Sequence, residues 1–168
     1  MTKFYAKVNK LLEQYIGGQI FFTELDKAVK FDKDILLKLK KYAEQEFMFA
    51  KNSVITIASG EIGCAFHNFG IPIDIIVPGG LRHDPSRLNL EPFRNLLDGR
   101  NVIFIDDSYF SGRTLAVIKE EIRAYGGNFI GAFVAYDGSK YKDDQVYSLY
   151  RYYDHHDILG RPLNKEEC

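Results

Sequence analysis

The sequence predicts an α/β domain: a central parallel sheet with helices on its faces. Three observations point there. Apolar runs rich in β-branched residues recur at 54–58, 73–77, 102–105 and 128–136. They are too short for helices and read as strands buried on both faces. Stretches of helical periodicity separate them. Glycine- and hydroxyl-containing turns follow the strand ends, where open α/β sheets bind their ligands.

The chain has 168 residues, the size of one domain with a real core. Its composition, 46% hydrophobic and 27% charged, is that of a globular protein. A net charge of −1 exerts no pull toward nucleic acid or an anionic membrane. No apolar run approaches a membrane span, and the N-terminus lacks a signal-peptide core. Two cysteines, Cys64 and Cys168, do not make a disulfide framework. The expectation is a reduced, cytoplasmic protein.

Taken in order, residues 3–16 place Phe4, Val8, Leu11, Leu12 and Tyr15 on one helical face, closed by Gly17-Gly18. Thr23 and Asp32 read as N-caps of two further helices. The second puts Ile35, Leu36, Leu39, Tyr42 and Ala43 on one side. Its Lys38, Lys40 and Lys41 read as a solvated face balanced by Glu44 and Glu46.

The strand at 54–58 runs into Ser59-Gly60-Glu61, a short helix to Phe69, a stop at Gly70-Ile71-Pro72 and the strand at 73–77. This is a βαβ unit with a right-handed crossover. On its helix, Cys64 and His67 read as a small buried hydrophobe and a surface or packing imidazole, because no further ligand has metal-site spacing. Pro78-Gly79-Gly80 then opens a loop carrying Arg82, His83 and Arg87, with the composition of a mobile segment. A short helix is expected around residues 93–97.

The strand at 102–105 leads into Asp106-Asp107 and then Ser108-Tyr109-Phe110-Ser111-Gly112-Arg113-Thr114. A helix begins near Thr114, with Leu115, Ile118, Ile122 and Tyr125 on one face and Gly126-Gly127 as its stop. A helix N-terminus offers unpaired N–H groups and the positive end of a dipole. Ser111, Gly112 and Thr114 let the backbone approach an anion and add hydroxyl donors, which makes a phosphate cradle. Two ionised carboxylates beside a phosphate repel it unless they have another task. Sugar hydroxyls or a Mg²⁺ ion supply one, and a ribose 5-phosphate fits both halves.

That run, from Ile103 to Thr114, resembles the motif by which type I phosphoribosyltransferases bind 5-phosphoribosyl 1-pyrophosphate (PRPP). The motif is an apolar strand, two acidic residues, variable positions and Thr/Ser-Gly-x-Thr. The Gly-Arg-Thr ending is similar to the branch of uracil phosphoribosyltransferase and pyrimidine-operon attenuation proteins. The resemblance implies a type I phosphoribosyltransferase-like parallel sheet flanked by helices, in a single domain spanning 1–168. A helical arm is expected at 1–52, the core at 53–137 and a small hood at 138–168.

It also implies a function: Mg²⁺-dependent transfer of ribose 5-phosphate from PRPP to a nitrogenous base, with release of pyrophosphate. Asp106 and Asp107 would hold the ribose hydroxyls and meet Mg²⁺ indirectly, through the sugar. Phe110, Ser111, Gly112, Arg113 and Thr114 would bind the 5-phosphate, and Ser59, Gly60 and Glu61 the pyrophosphate. In the family that pyrophosphate loop often holds an unusual cis peptide, expected here at Ser59-Gly60. Arg82, His83 and Arg87 fall where the family has a loop that closes over substrate; a solvated polar loop is the other reading. The Tyr147, Tyr150, Tyr152 and Tyr153 cluster falls where the family recognises the base; a surface or dimer interface is the alternative. The implied partners are PRPP, a nucleobase or nucleotide and a second copy of the chain. Nucleic acid and membrane are not expected. His155-His156 is not expected to chelate metal.

Two residues depart from the family's pattern. Glu61 stands where many members carry Arg or Lys. Either Mg²⁺ sits between it and the pyrophosphate, or it points away as a first-turn helix residue favoured by the dipole. Phe110 stands two before the Gly, where 6-oxopurine members carry an acidic proton acceptor. An apolar ring cannot serve as general base, which disfavours hypoxanthine or guanine as acceptor and leaves pyrimidines open. A non-catalytic PRPP or nucleotide sensor of the same fold is the rival function, and Glu61 is its best support. A phospho-accepting receiver domain also has Asp at strand ends, but the Ser-Gly-Arg-Thr cradle argues against it.

Overall fold

Apolar side chains alternate across the strands and divide the core into two layers, one on each face of the sheet. The computed structural model describes residues 33, 36–38, 40–41 and 54–154. Its elements are β1 (Val54–Ser59), α1 (Gly60–Asn68), β2 (Ile75–Val77), α2 (Arg94–Leu97), β3 (Asn101–Tyr109), α3 (Arg113–Ala124), β4 (Asn128–Asp137) and β5 (Val146–Arg151). Single turns of 3-10 helix occupy Pro85–Arg87, Glu91–Phe93 and Tyr152–Asp154.

Among the described residues the strands form one five-stranded sheet in the order β2-β1-β3-β4-β5. Every pairing is parallel. Ile62 and Phe66 of α1 pack with Ala58, Ile105, Phe133 and Ala135 on one face. Leu115, Ile118 and Ile122 of α3 pack with Ile57, Val102, Phe104, Ala132 and Val134 on the other, joined by Leu81, Leu88, Leu90 and Leu97 of the β2–β3 connection. Right-handed crossovers running in opposite directions along a sheet require this division. Burying an aliphatic side chain is worth about 1.5–3 kcal/mol, and these layers supply most of what holds the strand ends in place.

The parallel sheet with flanking helices is the fold class expected from the sequence. The departures are local. β2 begins at Ile75 rather than at 73, because Asp74 turns its carboxylate to the Thr56 N–H at 2.8 Å while its own N–H meets Thr56 O at 2.9 Å. β3 runs on through Asp106 and Asp107 to Tyr109, so the acid pair lies within the paired strand and not in a loop after it. No peptide bond among the described residues is cis, Ser59-Gly60 included; Gly60 instead takes the left-handed conformation, φ +55°. Cys64 is exposed, not a buried hydrophobe.

Sheet pairing also continues past residue 137, because β5 adds to β4. Parallel strands ordinarily need a crossover of about a dozen residues or more, usually a helix. Here the eight-residue link 138–145, with bends and a turn and no helix, suffices, held to α3 where Lys119 meets Gln145 at 2.8 Å. Of the four tyrosines expected to read a base or line an interface, one is buried, and Tyr147, Tyr152 and Tyr153 are half-buried. Tyr150 is buried and stacks on Tyr136 with centroids 5.7 Å apart, and Tyr147 stacks on Phe133 at 5.4 Å.

In the helix expected after Asp32, Leu36 is buried, while Lys38 and Lys41 are exposed. The expected helix at 3–16, the caps at Thr23 and Asp32 and the pair His155-His156 lie outside the described residues.

Candidate functional site

The strand order reverses between β1 and β3: the chain leaves β1 toward β2 on one side and β3 toward β4 on the other. At such a point the connections leaving two neighbouring strands diverge, and a crevice opens beyond their carboxyl ends. A cavity of about 470 Å³ lies there. One wall is the end of β1 with Ser59 and Gly60, a second is the turn Pro78-Gly79-Gly80 after β2, and the third runs along the end of β3 into the first turn of α3.

Ser59 Oγ donates to Asp106 Oδ1 at 2.9 Å, and the Asp107 N–H donates to the same oxygen at 2.9 Å. Desolvation holds the Asp106 carboxyl well above the usual carboxylate range. The negative charge and side chain of Asp107 add to the shift, and the Asp107 N–H and the Ser59 hydroxyl oppose it. Both Asp106 and Asp107 line the cavity.

Beyond Tyr109 the chain turns through Phe110, Ser111 and Gly112, and α3 starts at Arg113. Gly112 takes φ +72°, a left-handed conformation that costs other residues about 1 kcal/mol or more. Its carbonyl accepts the Ala116 N–H at 2.8 Å. The N–H groups of the first turn have no acceptor within the helix and form the positive end of the α3 dipole. A second backbone approach lies across the crevice. A Cβ on Gly60 would come 3.4 Å from Gly79 Cα, so two glycine turns meet there at contact distance. Both turns line the cavity, so this edge presents main chain without side chains.

The structure therefore brings together Ser59, Gly60, Arg82, His83, Asp106, Asp107, Phe110, Ser111, Gly112, Arg113 and Thr114 around one cavity. Glu61 takes the second position of α1; its side chain lies outside the described part of the structure. Arg82 Nε donates to His83 Nε2 at 2.8 Å. Arg87 stands outside the cavity wall and donates to Gly79 O at 3.2 Å, bracing the turn. Phe110 leans over the end of β4. A Cβ on Gly138 would fall 2.4 Å from Phe110 Cε1, and its ring centroid is 5.4 Å from that of Tyr136.

Sequence reasoning missed Tyr109 and Asp143, which meet at 3.2 Å beside the cavity. It also missed the ion pair of Asp137 and Arg151 at 3.3 Å, which closes the ends of β4 and β5. Both join residues brought near by the β4–β5 pairing, and no local signal marks either.

Among the described residues no group of three or more His, Cys, Asp or Glu side chains is placed to hold a metal ion. Two adjacent carboxylates in an open crevice do suit Mg²⁺, which keeps several waters and binds through one or two carboxylates together with phosphate oxygens of a ligand.

No family model matches the sequence, and no curated protein matches it. Solved structures do. A hypoxanthine phosphoribosyltransferase from Staphylococcus aureus is 14% identical, with 71% of this chain aligned to 73% of that one and a TM-score of 0.53. A hypothetical protein from Neisseria gonorrhoeae with bound ppGpp is 20% identical, with 71% of this chain aligned to 80% of that one and a TM-score of 0.50. The chain shares the fold of the type I phosphoribosyltransferases.

Proposed function

We propose that the protein transfers ribose 5-phosphate from PRPP to a nitrogenous base and releases pyrophosphate. The observation that carries this reading is the single crevice at the β1–β3 reversal, with the Asp106-Asp107 pair on one side of the α3 N-terminus and the Gly60 and Gly79 turns facing it. The first turn of α3 receives the 5-phosphate. Asp106 and Asp107 accept hydrogen bonds from the ribose hydroxyls. The Ser59-Gly60 and Gly79-Gly80 turns offer main chain to the pyrophosphate, and Arg82 and His83 bring polar groups to the same side.

Breaking the bond at the anomeric carbon leaves positive charge on the sugar ring, and carboxylates fixed below it favour that state over the ground state. The rest of the rate enhancement comes from holding the base in line with the departing pyrophosphate. Mg²⁺ held beside Asp106 and Asp107 would supply positive charge to neutralise the leaving group. The apolar Phe110 supports an acceptor other than a 6-oxopurine, and the Gly-Arg-Thr ending supports the uracil branch. The fold shared with a hypoxanthine phosphoribosyltransferase supports the reaction class and does not bear on the base.

A second reading has one observation of its own. The ring of Phe110, which cannot accept a proton, packs on the Gly138 main chain at the cavity edge. That suits a PRPP or nucleotide sensor without turnover, as does the Neisseria gonorrhoeae neighbour with its bound ppGpp. Incubation with PRPP, Mg²⁺ and a panel of purine and pyrimidine bases, followed by pyrophosphate release, separates the two. Release with any base establishes transfer. Calorimetric binding of PRPP without release with any base establishes the sensor. No binding of PRPP removes both.

A further inference from the structure

We propose that Tyr109 is the positioning residue of the anion-binding turn, setting the backbone of Gly112 and so the aim of the α3 N-terminus. The inference rests on the reading that this turn receives a phosphate.

Tyr109 is held at both ends by the link between β4 and β5. Its carbonyl accepts the Gly138 N–H at 2.9 Å, at the start of that link. Its hydroxyl donates to Asp143 Oδ2 at 3.2 Å, near the end of it. Asp143 is itself fixed, since its Oδ1 accepts the Gln145 N–H at 2.9 Å and its Oδ2 lies 3.7 Å from Lys119 Nζ on α3. The phenol is thus clamped between the sheet, the link and the helix whose first turn it underlies.

Its contact with Gly112 is close. A Cβ at Gly112 would lie 2.9 Å from the Tyr109 hydroxyl oxygen, 3.4 Å from Cζ and 3.5 Å from Cε2. The ring therefore packs against Gly112 on the side where any other residue would carry its side chain. The left-handed turn at Gly112, φ +72°, is the hinge between β3 and α3. Its Ala116 hydrogen bond starts the helix. A rotation there re-aims the N–H groups of the first turn, which no carbonyl of the helix accepts. Burial, followed by the charge of Asp143, pushes the Tyr109 phenol up to about 12. The hydroxyl stays a donor across the working pH range, so the bond to Asp143 keeps one direction.

The test uses the full chain and ribose 5-phosphate as probe, measured by calorimetry beside an unfolding midpoint. Tyr109→Phe removes the hydroxyl and is expected to weaken ribose 5-phosphate about tenfold, the value of one hydrogen bond. Asp143→Ala does the same. Asp143→Asn keeps an acceptor oxygen and retains affinity within about twofold. The double variant Tyr109→Phe with Asp143→Ala is no weaker than either single, because both remove one interaction. Wild-type affinity in Tyr109→Phe, or losses that multiply in the double, overturns the proposal.

A second readout needs no ligand: the amide NMR shifts of residues 112–115 move in Tyr109→Phe and stay in place in Asp143→Asn. If the wild type binds no ribose 5-phosphate, these shifts alone decide, and the proposed function is judged separately by PRPP binding. Unmoved shifts in Tyr109→Phe overturn the positioning role, and moved shifts uphold it.

Discussion

Ser59 ends β1 and Asp106 lies in β3, yet the hydroxyl of the first reaches Oδ1 of the second at 2.9 Å across the mouth of the crevice. That bond ties together the two strands between which the sheet order reverses. It also occupies one oxygen of Asp106 and leaves Asp107 beside it. The pair is then unequal: Asp106 is desolvated and held by protein donors, and Asp107 is the more available partner for a ligand.

The first prediction concerns pH. The folded-state pKa of Asp106 is raised well above the ordinary value of 3.8, so the folded protein binds this proton more tightly than the unfolded chain does. Its contribution to stability is absent above the folded pKa, grows as pH falls, and is complete below the unfolded value. Asp106→Asn removes that dependence and relieves repulsion with Asp107. We expect the variant to unfold at higher denaturant than wild type at pH 7, with the gap narrowing toward pH 4.5. Parallel stability curves over that range would show that Asp106 is not desolvated.

The second concerns binding. Asp106→Asn with Asp107→Asn is expected to weaken PRPP, because hydrogen bonds to charged acceptors are worth about 1.5–3 kcal/mol each. The same double variant is expected to match or exceed wild type in unfolding midpoint. Calorimetry and denaturation on one preparation separate this from a capping role, in which stability falls and affinity stays.

The third addresses the Phe110 edge. Gly138→Ala places a methyl 2.4 Å from Phe110 Cε1 and 2.8 Å from Tyr136 Cε1. Overpacking of this kind costs roughly 1–3 kcal/mol. Adding Phe110→Ala makes room and is expected to recover part of the loss. A Gly138→Ala variant as stable as wild type would mean that Phe110 does not rest on that main chain.

The fourth tests the closure of β4 and β5. Asp137 is 2% exposed and accepts the Ser139 N–H at 2.8 Å, with Arg151 Nε 3.3 Å away. Arg151→Met leaves a buried carboxylate without its cation, a loss of about 3–5 kcal/mol. Asp137→Asn in that background is expected to recover much of it, read from urea unfolding. Equal stability of the single variant and wild type would place the pair in solvent.

The strands of the α/β core were legible because a buried parallel strand must be apolar on both faces, as 54–58 and 102–105 are. The α3 helix was legible from the spacing of Leu115, Ile118 and Ile122, all buried. The edge strand β5 was not. It covers less of the core, and its tyrosines and Ser148 give a mixed pattern that suits a surface as well as a sheet. From the sequence the acid pair reads as following its strand, because carboxylates are poor interior residues. Pairing with β4 carries the strand on to Tyr109 regardless.

By itself the sequence determined the chemistry available at one strand end: two carboxylates, a hydroxyl-Gly-x-Thr turn and the start of a helix, all within residues 106–115. Those groups are neighbours along the chain, so local backbone geometry suffices to bring them together. Only the tertiary structure decided what faces them. Ser59 on Asp106, Gly79 against Gly60, Asp143 on Tyr109 and Gly138 under Phe110 are all set by strand order and register. Register comes from the fit of whole sheet faces to their helices, which no local stretch of residues encodes.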